Sequence, residues 1–193
     1  MNIILASKSG VRRKILIANK ISCEVIPSNI DEDMFKESLI NEGATPELIS
    51  KNLAELKANK VSKQNQDRLV LGADSVIDLN KELISKPKSR QEALEILKKL
   101  NGQKHQLISS VCISKNGSMI WNYTDKAKLK MKNFTEKELQ DYLAKISDSA
   151  LFAYNVYQIE GEGRELFSEI IGDESTVMGL PIQKIKEYLK EIR

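Results

Sequence analysis

The stretch RLVLGADSVIDL, residues 68–79, places the tightest limit on what this chain can fold into. An apolar run of this kind reads as a strand, and Asp74 sits in its middle. An ionised carboxylate is costly to bury there unless a metal, a cation or several donors compensate it. Gly72 and Ala73 leave room for another group to approach the backbone. Two readings follow from the stretch alone. Asp74 either caps a neighbouring element or serves as a metal ligand or general base.

The rest of the pattern alternates strands and helices. Ile3–Ala6 reads as a buried strand, and Val11, Ile15, Leu16 and Ala18 then recur at helical spacing. Thr45-Pro46-Glu47 carries an N-cap, a proline at the first helical position and an early acid, predicting a helix to about Val61. LNKEL is a turn into a short strand. Ser89 with Glu92 and Thr135 with Glu138 form two capping boxes, the first opening a helix stopped by Gly102 and the second a helix to about Ile146. HQLISSVCIS, SMIWNY and KAKLKMKNF read as three strands, and Asn116-Gly117 is the hairpin turn between the first two. Short strands are expected near 153–159 and 164–171, and Pro181 precedes a last amphipathic helix. The fold class is α/β, a mixed sheet flanked by helices.

With 193 residues the chain fits one domain, 1–193. The net charge is +3, with 30 cations interleaved among 27 anions, and aromatic residues make up only 5%. That excludes the basic–aromatic surface of a nucleic-acid binder. Two distant cysteines and one histidine, His105, leave no zinc site of the usual ligand types. The N-terminal apolar stretch is too short for a signal peptide and no membrane-length apolar run occurs, so the expectation is a cytoplasmic protein with no membrane partner.

Candidate binding groups cluster in a few places. In MNIILASKSGVRRKIL, Ser7, Ser9, Arg12 and Arg13 come together where a strand gives way to a helix. Helix-start N–H groups, hydroxyls and guanidiniums suit a phosphate chain, and they equally suit a capped helix with a solvated basic face. Lys57 and Lys86 read singly as solvated lysines. Asp31 and Glu32 either supply metal ligands or belong to an acidic loop. Glu160, beside Gly161, is either solvated or a double acceptor for the N–H edge of a guanine. His105 is expected to satisfy a backbone hydrogen bond. No P-loop, dinucleotide fingerprint or nucleophile elbow is present.

Taken in order, these segments resemble the Maf family of nucleoside triphosphate pyrophosphatases. LASKSGVRR is similar to its LASxSPxR signature, IDE at 30–32 to its acidic segment and LAELKANKV to its LAxxKAxxV helix. GADSVI resembles its core DTVV or DQV strand, SKPKSRQEALEILKKLNGQKH its central segment, and YQIEGEG with GDESTVMGLP its C-terminal motifs. The six segments span nearly the whole chain in register.

The resemblance implies an elongated, ITPase-like α/β fold with a cleft between two lobes, often dimeric. It implies cleavage of a nucleoside triphosphate between the α- and β-phosphates, with a divalent metal, Mg²⁺ or Mn²⁺, and a housekeeping role in the nucleotide pool. Asp74 matches the catalytic position, as base or metal holder, and Glu32 the acidic helper. Ser7, Arg12, Lys57 and Lys86 match phosphate-binding positions. The shifted pair Arg12-Arg13 and Glu160 resemble the branch acting on 7-methyl-GTP, which favours a guanine-type base over the dTTP/UTP alternative. Val11 stands where that branch has an aromatic residue, Ser75 matches neither branch, and Ala153 and Asn155 replace a usual lysine and glycine. A weakly catalytic nucleotide-binding regulator is the reading from a different class.

Overall fold

The structure is a computed structural model that describes residues 2–192, with the side chains of Ala153 and Tyr154 outside the described set. In chain order it forms β1 (Asn2–Leu5), α1 (Gly10–Ala18), β2 (Ser22–Val25), α2 (Glu32–Asn41), α3 (Pro46–Gln64), β3 (Val70–Leu79), β4 (Glu82–Ile84) and α4 (Arg90–Leu100). There follow β5 (Lys104–Lys115), β6 (Ser118–Met131), α5 (Glu136–Ala144), α6 (Asp148–Tyr154), a 3-10 turn at Glu162–Leu166, β7 (Phe167–Ile171), α7 (Glu174–Val177) and α8 (Ile182–Glu191).

The sequence signals for helix starts translate directly into hydrogen bonds. Thr45 Oγ1 accepts from the Leu48 amide at 3.3 Å, and Thr135 and Glu138 close a full capping box. The box expected at Ser89 is only half formed: Ser89 caps the Glu92 amide, but the Glu92 carboxylate accepts from Lys88 instead. The hairpin turn falls at Asn116 and Gly117, both with positive φ (53° and 81°).

Three expectations are corrected. SMIWNY and KAKLKM form one strand, β6, because the long β5 offers a continuous ladder on which Thr124 and Asp125 pair with Ser110 and Ser109. The strand expected at 153–159 is the end of α6 followed by a turn. Ser147 caps that helix by accepting from the Ala150 amide, and Tyr142 donates its hydroxyl to the Val156 carbonyl. The strand expected at 164–171 begins only at Phe167, after the 3-10 turn.

The seven strands make one mixed sheet in the order β2-β1-β3-β5-β6-β7, with β4 also paired to β3. β1 lies parallel to β2 and β3, and the remaining pairs are antiparallel. Helices cover the sheet unevenly. Leu71, Ala73, Val111 and Ile113 pack with Ile15 and Leu16 of α1 and with Ile182, Ile185 and Leu189 of α8. Further along the same face, Ile77, Leu79, Leu107 and Leu129 pack with Leu94 and Leu97 of α4 and with Leu139 and Leu143 of α5. Ser75 falls between these two apolar cores. The opposite face of the first half is closed by α3, whose Ala54 and Ala58 pack on Cys112.

One edge of β3 is interrupted. β1 pairs with it at Val70 and Leu71, and β4 pairs only from Ile77 onward. Ala73–Val76 therefore lack a strand neighbour on that side among the described residues. This gap places Asp74 and Ser75 at an opening in the sheet.

α3 lies close against β3 because Gly72 has no side chain. A Cβ there would stand 2.2 Å from the Ala54 carbonyl oxygen and 2.8 Å from the Ala58 nitrogen. These are backbone atoms that cannot step aside. Gly72→Ala should therefore destabilise the fold by about 2–3 kcal/mol, read as a lower urea midpoint. An unchanged midpoint would contradict this close contact.

Candidate functional site

Three charged side chains meet at the sheet opening. The Lys57 ammonium, on α3, donates to Asp74 Oδ1 at 2.8 Å and lies 3.0 Å from Glu32 Oε1. Asp74 and Lys57 are almost fully enclosed, at 4% and 5% exposure. α3 delivers Lys57 one turn after Ala54, on the face that meets β3, and Ser50 on the same helix donates to the Asp74 carbonyl at 3.2 Å. Glu32 comes from the first turn of α2, whose N-cap Asp31 accepts from the Met34 amide at 3.0 Å. The acidic loop considered from the sequence is thus a capped helix start. The second Asp74 oxygen, Oδ2, is buried with no protein partner.

A second cation is tied into the frame. Arg12 donates through Nε to the Gly179 carbonyl at 2.9 Å, and through one terminal nitrogen to Ser7 Oγ at 3.1 Å and the Ala73 carbonyl at 2.9 Å. Its other terminal nitrogen donates to Ser75 Oγ at 3.1 Å. Four of the five guanidinium N–H groups can be accounted for in this way. Burial lowers the Arg12 pKa, and the charges of Asp74 and Glu32 oppose that shift. Gly179 suits its place twice over. Its φ is +91°, and a Cβ would lie 2.9 Å from Ser75 Oγ. Ser75 shares a hydrogen with Ser109 at 2.9 Å, and Ser109 donates to the Thr176 carbonyl at 2.8 Å. This chain fastens the 176–179 segment to the sheet. Ser9, meanwhile, caps α1 by accepting from the Arg12 amide.

These groups border a cleft of about 390 Å³. Ser7, Ser9, Arg12, Glu32, Lys57, Asp74, Ser75, Lys86 and Glu160 all line it. Arg13 does not; it is exposed on the outer side of α1. The Lys86 side chain is exposed at the rim, yet its ammonium is held below the ordinary lysine pKa by partial desolvation and then by the nearby Arg12 charge. The cleft also holds groups that sequence reasoning passed over. Lys8 lies between the two serines of the opening motif, and Tyr157, Gln158 and Met178 flank Glu160 and Gly179. Their only signal was adjacency to residues already singled out. Among the described residues no group of three His, Cys, Asp or Glu side chains is arranged to hold a metal. No described helix is long and apolar enough to cross a membrane.

The model of the family described as "Maf-like protein" matches residues 2–192. The chain belongs to the Maf-like family. It is 70% identical over 191 residues to a protein of Pelagibacter ubique (strain HTCC1062) named nucleoside triphosphate pyrophosphatase, covering 99% of this chain and 98% of the relative. It is 39% identical over 187 residues to a protein of the same name from Roseobacter denitrificans (strain ATCC 33942 / OCh 114), covering 97% and 94%. Among solved structures it is similar to the Staphylococcus aureus Ham1 protein, with a TM-score of 0.53 at 15% identity over the whole of both chains. A HAM1 protein from Coxiella burnetii gives the same TM-score at 13% identity over 99% of both. At that identity the likeness speaks for the fold, and it agrees with the mixed α/β class.

The cleft wall of this Maf-like protein that carries Tyr157 is supported from behind by His105. His105 Nε2 and the Tyr157 hydroxyl are 2.9 Å apart, Phe167 packs against both rings, and Nδ1 is buried without a partner. The expected backbone bond is thus replaced by a side-chain one to Tyr157. Burial lowers the His105 pKa from 6.5 to about 4. The ring is neutral in the fold and gains a proton below pH 6.5 when unfolded, so stability falls as pH drops from 6.5 towards 4. Between pH 7 and pH 4 the wild type should lose about 2–3 kcal/mol more stability than His105→Gln. Parallel stability curves for the two proteins would contradict a neutral His105.

Proposed function

We propose that this Maf-like protein hydrolyses a nucleoside triphosphate to the monophosphate and pyrophosphate. The observation that carries the reading is Asp74. One of its oxygens is held by Lys57, and the other is buried, free of protein partners and set in a cleft lined with cations. The names of the Pelagibacter and Roseobacter relatives support the same activity.

A divalent ion fits the residues present. Asp74 Oδ2 is an unused buried carboxylate oxygen, and Glu32 stands on the far side of Lys57. Two carboxylates suit Mg²⁺ or Mn²⁺, which keep waters and take further ligands from substrate phosphates. When bound, such an ion would supply charge neutralisation to the phosphate oxygens.

The remaining work belongs to the chain. Lys8 and Lys86 bind the triphosphate from the cleft walls, where a chain of negative oxygens meets cations that form no ion pair among the described residues. Lys57 fixes the orientation of the Asp74 carboxylate through Oδ1 and leaves Oδ2 free of protein partners. Arg12 and Ser75 hold the 176–179 wall in place and Ser7 meets the Arg12 guanidinium, so this group positions more than it binds. At the other end Glu160 accepts from the N1–H and amino group of a guanine-type base, with Tyr157 and Gln158 beside it. Two free cysteines, Cys23 and Cys112, suit a reducing, cytoplasmic setting.

Pyrophosphate release should be measured over guanine, deaminated, methylated and pyrimidine triphosphates with Mg²⁺ or Mn²⁺. Asp74→Asn should lower kcat by about 10²–10⁴-fold. Release by the variant at the wild-type rate would remove Asp74 from the reaction. Glu160→Gln should lower the preference for guanine over pyrimidine, because the amide keeps one acceptor and turns a donor toward the second N–H of the base. An equal effect on both bases would contradict the role given to Glu160.

A further inference from the structure

Lys57 does more than orient Asp74. Its ammonium stands between the two carboxylates best placed to hold a divalent ion, 2.8 Å from one and 3.0 Å from the other. We infer that Lys57 is a resident counter-cation that keeps the affinity of the nucleotide-free protein for free divalent metal low, so that the metal enters together with the triphosphate. This rests on the reading of the cleft as a triphosphate site.

The geometry supports it in three ways. With Lys57 in place, Asp74 and Glu32 carry one net negative charge between them in place of two, and a divalent ion is correspondingly less attracted. Lys57 cannot withdraw, since it is 5% exposed and rooted in α3, which Gly72 draws tightly against β3. The protein also offers too few ligands by itself, as no third His, Cys, Asp or Glu joins the pair among the described residues. Phosphate oxygens from the nucleotide would complete the set.

The two carboxylates are unequal partners in this arrangement. Asp74 is fixed within the central strand, whereas Glu32 belongs to α2, a helix that buries none of its residues. The Glu32 side of the pair is therefore the one able to move when metal and triphosphate arrive. Lys57 stays with Asp74.

The test is a titration of nucleotide-free protein with Mn²⁺, read from the electron paramagnetic resonance signal of the free ion. Wild type and Lys57→Arg, which both keep the cation, should bind weakly. Lys57→Met should bind about tenfold tighter or more, because a unit positive charge beside both carboxylates is gone. Lys57→Met combined with Asp74→Asn should return to weak binding. Equal affinity in wild type and a folded Lys57→Met would overturn the inference. If circular dichroism shows Lys57→Met unfolded, wild type and Lys57→Arg decide: low-micromolar Mn²⁺ binding by either without nucleotide overturns it, and weak binding by both supports it. None of these readouts uses turnover. A wild type that released no pyrophosphate would defeat the proposed activity and leave the metal result standing, and the reverse also holds.

Discussion

The ammonium of Lys57 between Asp74 and Glu32 is the contact on which the arrangement of the cleft depends. It joins a central strand, a long helix and a short surface helix at one point. Asp74 is buried, and a buried carboxylate stripped of its partner costs about 3–5 kcal/mol. The pair is thus held by necessity as well as by geometry. Its position follows from two simple features. Gly72 lets α3 approach β3 at backbone distance, and the gap between β1 and β4 leaves the edge of β3 open beside Asp74.

Around that point the cations divide by how many partners they have. Arg12 spends its guanidinium on Ser7, Ala73, Ser75 and Gly179, so it acts as a strut across the cleft floor. Lys57 is shared by two carboxylates. Lys86 and Lys8 line the cleft, and neither forms an ion pair among the described residues. A triphosphate entering such a cleft meets available charge first from the lysines.

Much of the fold could be read from the chain. Helix starts at Thr45, Ser89 and Thr135 were legible because side-chain caps are local, and the Asn116-Gly117 turn was legible because few residues adopt positive φ. The oddity of Asp74 within an apolar strand was also visible. What stayed hidden depends on distant partners. β6 runs unbroken through Thr124 and Asp125 because β5 lies alongside. Val156, Tyr157 and Ile159 look like a strand but fill a core without pairing. The use of Arg12 as a strut could not be foreseen, since its acceptors at Ala73, Ser75 and Gly179 are far away in sequence. The same holds for the pairing of His105 with Tyr157, 52 residues apart.

The most direct measurement is the identity of the phosphorus-containing products, followed by ³¹P NMR while wild-type protein turns over a nucleoside triphosphate with Mg²⁺. The account predicts a pyrophosphate resonance and a nucleoside monophosphate resonance rising together, with no orthophosphate. Orthophosphate with nucleoside diphosphate would place the cut at the terminal phosphate and contradict it.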